Sequence, residues 1–159
     1  MSRLPGHPVR TGAAPRGRRR HARGAAAVEL AILFPLLMAI FFSIMEWGFV
    51  VYNKAVLTNA AREGARTGIV LRTVAQRTAG ADVAAAEARA VSYCNGALIT
   101  MSGSNTCTAT TTPSGGKVSG VGTLAVTVNH TYNGTGLMAL YKIMNGPIVL
   151  SQRAVMTYE

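Results

Sequence analysis

Apolar residues are distributed very unevenly along the chain. From Leu30 to Met45 the run LAILFPLLMAIFFSIM carries no charge, and with Ala25 to Val28 before it and Trp47 to Tyr52 after it only Glu29 and Glu46 interrupt the apolar stretch 25–52. At about 1.5 Å of rise per residue this stretch makes roughly 42 Å of helix, more than the hydrocarbon thickness of about 30 Å. It is long enough to cross a membrane as a single helix. The sequence that follows, NKAVLTNAAREGARTGIVLRTVAQR, keeps the helical period but changes character. Val56, Leu57, Ala60, Ala61, Gly64, Ala65 and Gly68 fall near one face, and charged residues occupy the others. The pattern predicts one helix from about Ala25 to about Val70, wholly apolar in its first half and amphipathic in its second. On its surface Glu63 stands three residues before Arg66, a spacing that allows an i,i+3 ion pair.

A second helix is predicted from Asp82 to about Tyr93: Gly80 breaks the chain, Asp82 can cap, and VAAAEARAV has high helix propensity. From Asn95 to Gly122 the chain is rich in Gly, Ser, Thr and Asn, with Pro113, Gly115 and Gly116, and reads as loop with one short strand at Thr106 to Thr111. Thr123 to Tyr132 then alternates Leu124, Val126, Val128, His130 and Tyr132 against smaller or polar residues, and Ile148 to Tyr158 is similar but less regular. Between these strands, Gly136 to Pro147 reads as an apolar connection. The expected fold is α+β, with a long N-terminal transmembrane helix continuing into a small outer domain. That domain holds a second helix and an antiparallel sheet of about three strands lying on the amphipathic half of the long helix. No internal repeat is evident.

Composition and charge sharpen this picture. A mean hydropathy of +0.26 with 14% charged residues is apolar for a soluble protein, and the excess sits in the candidate span. The net charge of +10 raises the question of nucleic acid, so its placement matters. Residues 1–24 hold seven arginines and no acid, whereas the remainder holds nine Lys or Arg and six acids. The basicity therefore belongs to a leader, MSRLPGHPVRTGAAPRGRRRHAR, whose prolines, glycines and arginines cannot bury a core and which is expected to lack structure. Arginines directly before an apolar helix are retained in the cytoplasm, which directs the C-terminal part outward. The leader offers no aromatic side chains for base stacking, so no nucleic-acid partner is expected.

Catalytic chemistry finds no foothold. His7 and His21 lie in the leader, His130 has no evident acid or nucleophile beside it, and neither a P-loop, a G-x-S-x-G nor an H-E-x-x-H is present. The sequence reads as a non-enzyme without cofactor. Cys94 and Cys107 both fall in the outward-facing part, where a disulfide closing their loop would contribute on the order of 3 kcal/mol by chain entropy. The other reading of the pair is two unrelated thiols; a metal site lacks the further ligands it needs.

The junction of leader and span, Arg23-Gly24-Ala25-Ala26-Ala27-Val28-Glu29-Leu30, carries the most specific signal. Glycine permits an extended backbone in a peptidase cleft, and alanines after it present little bulk. A carboxylate at the edge of an apolar span is costly unless paired, which makes Glu29 a functional candidate; its other reading is a charge complementing the first turn of the helix. The junction resembles the processing site of type IV prepilins, which a membrane aspartic peptidase cuts after the glycine. That resemblance would make Ala25 the new N-terminus and Glu29 the fifth mature residue, which in this family pairs with the amine of a neighbouring subunit.

A narrower resemblance covers Arg23 to about Arg66. The A-V-E-L opening, Pro35, the group Glu46-Trp47-Gly48 and the closing N-A-A-R-E-G-A-R are similar to the N-terminal signature of TadE-like minor pilins or pseudopilins of the tight-adherence (Flp) pilus. Leu30 departs from the Phe or Tyr that many members carry after the processing glutamate. TadG-like proteins share the pattern but are usually much longer. The resemblance implies a leader 1–24 that is removed, a transmembrane helix 25–52, an amphipathic extension 53–80 and a periplasmic α+β domain 81–159. It implies a single-pass protein of the bacterial inner membrane, N-terminus inside, that can be incorporated into the pilus and serve in assembly and adhesion. Its partners would be other minor pilins, the major Flp-type pilin, the prepilin peptidase, the inner-membrane assembly platform and membrane lipid.

Several residues have readings of their own. Trp47 and Tyr52 fit an interfacial aromatic anchor. Glu46 beside them reads as a hydrated boundary residue or as a subunit contact. Pro35 introduces either a functional or a harmless kink, and Gly64 with Gly68 reads as close packing of the outer domain. The rival to a processed pilin is an uncleaved envelope protein anchored by one transmembrane helix, which would keep its N-terminus intact.

Overall fold

The structure, a computed structural model, describes residues 18–70, 74–78, 80–101, 106–115, 122–135 and 137–158. Seven elements follow one another: α1 (Arg18–Ile69), α2 (Val74–Thr78), α3 (Ala81–Ala97), β1 (Cys107–Ser114), β2 (Thr123–Tyr132), α4 (Leu137–Asn145) and β3 (Ile148–Thr157). The class is α+β with a long N-terminal helix, as expected. Two compact units are present, one ending at Met38 and one beginning at Ala39.

In the first unit α1 is an isolated helix whose side chains from Gly24 onward are nearly all exposed. The helix already includes Arg18 to Gly24, the end of the stretch expected to lack structure. Arginine is a good helix former, and it continues the turn that the alanines after Gly24 propagate. The rest of the leader, residues 1–17, lies outside the described residues. Pro35 sits inside the helix, which runs on through it.

The second unit is built around the small-residue face of α1. Leu57, Ala60, Ala61 and Ala65 are fully buried, as are Ala86, Ala90 and Cys94 on α3. A Cβ on Gly64 would lie 2.8 Å from both the Ala86 carbonyl oxygen and the Ala90 methyl, and one on Gly68 would collide with Leu124. The two glycines thus set how closely α3 and the sheet approach α1, which is the packing role expected of them. The three-stranded sheet has order β1-β2-β3, antiparallel throughout, with Val128 opposite Ala109 on one side and Gln152 on the other. Its inward face presents Leu124, Val126, Val128, His130 and Tyr132 to the core, as the alternation along β2 requires.

Side chains close the gaps that short elements leave. Asn53 exchanges two hydrogen bonds with Ile99, donating through Nδ2 to its carbonyl (2.8 Å) and accepting from its amide (3.2 Å). On α3, Glu87 Oε1 accepts from the Thr111 amide at 2.8 Å and Asn95 Oδ1 from the Cys107 amide at 2.9 Å. The outer edge of β1, which would otherwise offer bare donors to another chain, is covered by this helix. Cys94 and Cys107 are joined as a disulfide, with their Cα atoms 6.2 Å apart.

Four expectations change. The connection Gly136 to Pro147 contains a helix, α4, closed by Gly146 at φ 88°, whose amide donates to the Lys142 carbonyl at 2.8 Å. Gly80, at φ 78°, rather than Asp82 stands at the cap position of α3, and the Asp82 carboxylate accepts the Tyr158 hydroxyl at 2.7 Å. Glu63 pairs with Arg89 of α3 at 3.1 Å rather than with Arg66. The strand foreseen at Thr106 to Thr111 runs to Ser114, and Pro113 is accommodated because β1 is an edge strand.

Candidate functional site

The candidate functional surface lies where the fold leaves chemistry exposed. Among the described residues no group of three or more His, Cys, Asp or Glu is placed to hold a metal ion. Two places stand out, one in each unit.

The first is the N-terminal part of α1. Gly24, Ala25 and Glu29 are all exposed, and nothing lies within 4 Å of where a Gly24 side chain would start. Glu29 is surrounded by Val28 (61% exposed), Leu30 and Ile32 (71%), so its carboxylate stands on a helix surface that is otherwise apolar. From Gly24 to Ile69, α1 is long and apolar enough to cross a membrane, and no other helix among the described residues is. Chemically this surface can do two things: bury itself in lipid, and pair its one carboxylate with a cation supplied from outside the unit.

The second place is the turn of α1 around Glu46. Glu46 is 3% exposed, and its Oε2 accepts the amide of Met138 at 3.2 Å, at the first turn of α4. A carboxylate is the group that a helix N-terminus favours, since the first amides have no partner within the helix. Gly134 makes room for it: a Cβ there would lie 2.7 Å from Glu46 Oε1. The Tyr132 phenol is buried nearby, and its pKa is raised first by burial and second by the Glu46 carboxylate. A hydrated boundary charge does not describe Glu46; within the chain it is an internal cap. Sequence reasoning missed this because the helix it caps had itself been read as a connection. The signal available was Gly136 before and Gly146-Pro147 after a nine-residue apolar stretch.

Trp47, 60% exposed, points away from the core on the adjoining position. Tyr52 is 44% exposed and its hydroxyl donates to the Ala97 carbonyl at 3.3 Å, which ties α1 to the end of α3 besides leaving a ring face open. At the far end of the domain, Tyr158 donates to Asp82, its amide donates to the Gly122 carbonyl at 2.9 Å, and the Arg77 guanidinium lies 5.2 Å from its ring. Burial, then the Asp82 hydrogen bond and charge, hold the Tyr158 phenol well above its ordinary pKa, with Arg77 opposing. His130 is buried with Nδ1 3.0 Å from the Thr106 carbonyl, which can only accept, so Nδ1 is the donor there and the ring is a structural core residue.

Residues 24–66 match the sequence model of the TadE-like protein family. The match begins at Gly24 and ends within α1, so it takes in both places described above on that helix and none of α2 to β3. No curated protein matches the chain, and no solved structure does. The family match associates the chain with the tight-adherence pilus system, in which TadE-like proteins are structural components.

Proposed function

We propose that the chain is a minor pilin or pseudopilin of a tight-adherence pilus, cut after Gly24 by a prepilin peptidase and held in the bacterial inner membrane by α1 until it is assembled. One observation carries the reading: a glycine, a run of small residues and a single exposed carboxylate open an apolar helix that the second unit does not need for its own core. After the cut Ala25 bears the free amine. Glu29 lies four residues on, one helical turn away, so in a bundle of such helices the amine of one subunit can meet the Glu29 of the next. Each charge then neutralises the other in a medium where neither is stable alone. The outer domain, with the β1 edge of its sheet covered and its cysteines bridged, faces the oxidising side. Its partners on this reading are the other minor pilins, the major Flp-type pilin, the peptidase and the assembly platform, and its contribution is to pilus assembly and surface adhesion.

The test is complementation of a deletion strain in the native host. Wild-type chain restores sheared pili and surface attachment; Glu29→Ala is still cut and still in the membrane but restores neither. Restoration by Glu29→Ala to the wild-type level would remove the assembly role of this carboxylate, and an unaffected deletion strain would remove the pilus role altogether.

A further inference from the structure

α4 is apolar over most of its surface, and the domain covers only part of it: Met138 and Ala139 are half-buried, and every residue from Leu140 to Asn145 is exposed. Leu140 (53%), Tyr141 (50%), Ile143 (81%) and Met144 (75%) are turned outward, and on the opposite side of the helix the exposed Lys142 donates to Asn133 Oδ1 at 2.6 Å. Nothing in the domain covers this apolar face. Its position is fixed by Glu46, which holds the first turn of α4 against the turn of α1 where the uncharged run ends. There the apolar surface of α4 is continuous with that of α1, through a cleft of about 440 Å³ lined by Ile40, Ser43, Ile44, Glu46, Trp47 and Met138. Trp47 and Tyr141, both half or more exposed, line a second cleft together with the exposed Lys54.

We propose that α4 is a membrane-interface helix: it lies in the headgroup region of the bilayer that α1 crosses, with Leu140, Tyr141, Ile143 and Met144 in the acyl boundary. This rests on the reading of α1 as a membrane span. An apolar helix face is stable in that layer at a depth of roughly 5–10 Å, and aromatic rings with lysines at the rim are the side chains that suit it. The occupant is lipid rather than a second copy because the face is pinned at the level where the span leaves the membrane. A partner protein would have to displace lipid from the adjoining turn of α1 to reach it. On this account Glu46 is a positioning residue, holding α4 at the correct height, and the subunit has two membrane attachments, only one of which is a span.

Depth-dependent fluorescence quenching decides the matter. The full chain in a Trp47→Phe background, reconstituted in vesicles of phosphatidylglycerol and phosphatidylcholine brominated high on its acyl chains, is compared with three added single tryptophans: Ile143→Trp on α4, Phe34→Trp in the span and Thr110→Trp on β1. The expected result is strong loss of emission for Trp at 143 and at 34 and no loss at 110. Quenching at 34 with none at 143 overturns the α4 proposal while leaving the span intact. Absence of quenching at 34 overturns the span, and the α4 proposal with it. A blue-shifted, unquenched signal at 143 that depends on the protein-to-lipid ratio means that a second copy covers the face, and also overturns it.

Discussion

The stretches of α1 before and after Glu46 spend their apolar residues in opposite ways. Before it, Leu30, Ile32, Leu33, Phe34, Leu36 and Leu37 are large and more than half exposed. After it, Leu57, Ala60, Ala61 and Ala65 are mostly small and fully buried. The contrast shows that hydrophobicity alone does not define a core. Large branched and aromatic side chains make a surface that lipid or neighbouring helices can cover, whereas alanine and glycine make a surface that lets a second helix and a sheet approach closely. Between the two regimes the faces alternate: Glu46, Val50 and Asn53 are already buried in the folded domain, whereas Trp47, Val51 and Tyr52 stay exposed.

The sharpest way to break this contrast is to truncate one leucine on each side. Leu57→Ala should destabilise the outer domain by about 2–5 kcal/mol, read as a drop in its thermal midpoint in detergent, whereas Leu33→Ala should leave that midpoint where it is. Equal effects would mean that the exposed stretch is part of the same cooperative unit. Reduction of the Cys94–Cys107 bridge comes next, at about 3 kcal/mol, by freeing the loop between α3 and β1 in the unfolded chain. Double replacement by serine should give the same midpoint with and without reductant.

A smaller effect tests the far end of the domain. Tyr158→Phe removes the hydroxyl that the buried Asp82 carboxylate accepts and should cost about 1–3 kcal/mol. The pH dependence has a definite sign. Because the Tyr158 and Tyr132 phenols titrate above the ordinary value of 10.0 in the folded state, the unfolded chain loses these protons first. Their contribution is therefore complete below pH about 10 and declines above it. Melting at rising alkaline pH should show that decline, and Tyr158→Phe should flatten it. The smallest effect is expected from Arg89→Ala. The Glu63–Arg89 pair is half exposed on the arginine side, and its loss should stay within about 1 kcal/mol.

Much of this architecture was legible because single periods ran long. The 3.6-residue spacing of Leu57, Ala61, Gly64, Ala65 and Gly68 and the alternation of Leu124, Val126 and Val128 each repeat enough times to fix an element and its buried face. Where the signal was short or depended on distant partners, it failed. α4 has only nine residues; at that length an apolar run cannot be told from a loop by period. Asp82, Glu63 and Glu46 are all acids whose local reading was cap, neighbour pair and boundary charge, and all three take partners that are remote in sequence: Tyr158, Arg89 and Met138. A carboxylate advertises that it needs a donor without saying from where. Gly24 and Glu29 differ again, since their proposed partners are other molecules and the structure of a single chain offers only their exposure.

The claim on which the whole account turns is the cut after Gly24. Intact mass and N-terminal sequence of the protein from native membranes test it directly, beside a Gly24→Ala variant and a strain without the prepilin peptidase. Wild-type protein should lack residues 1–24 and begin at Ala25, with full-length chain in both controls. Full-length chain in all three would contradict it and leave an uncleaved protein anchored by one transmembrane helix.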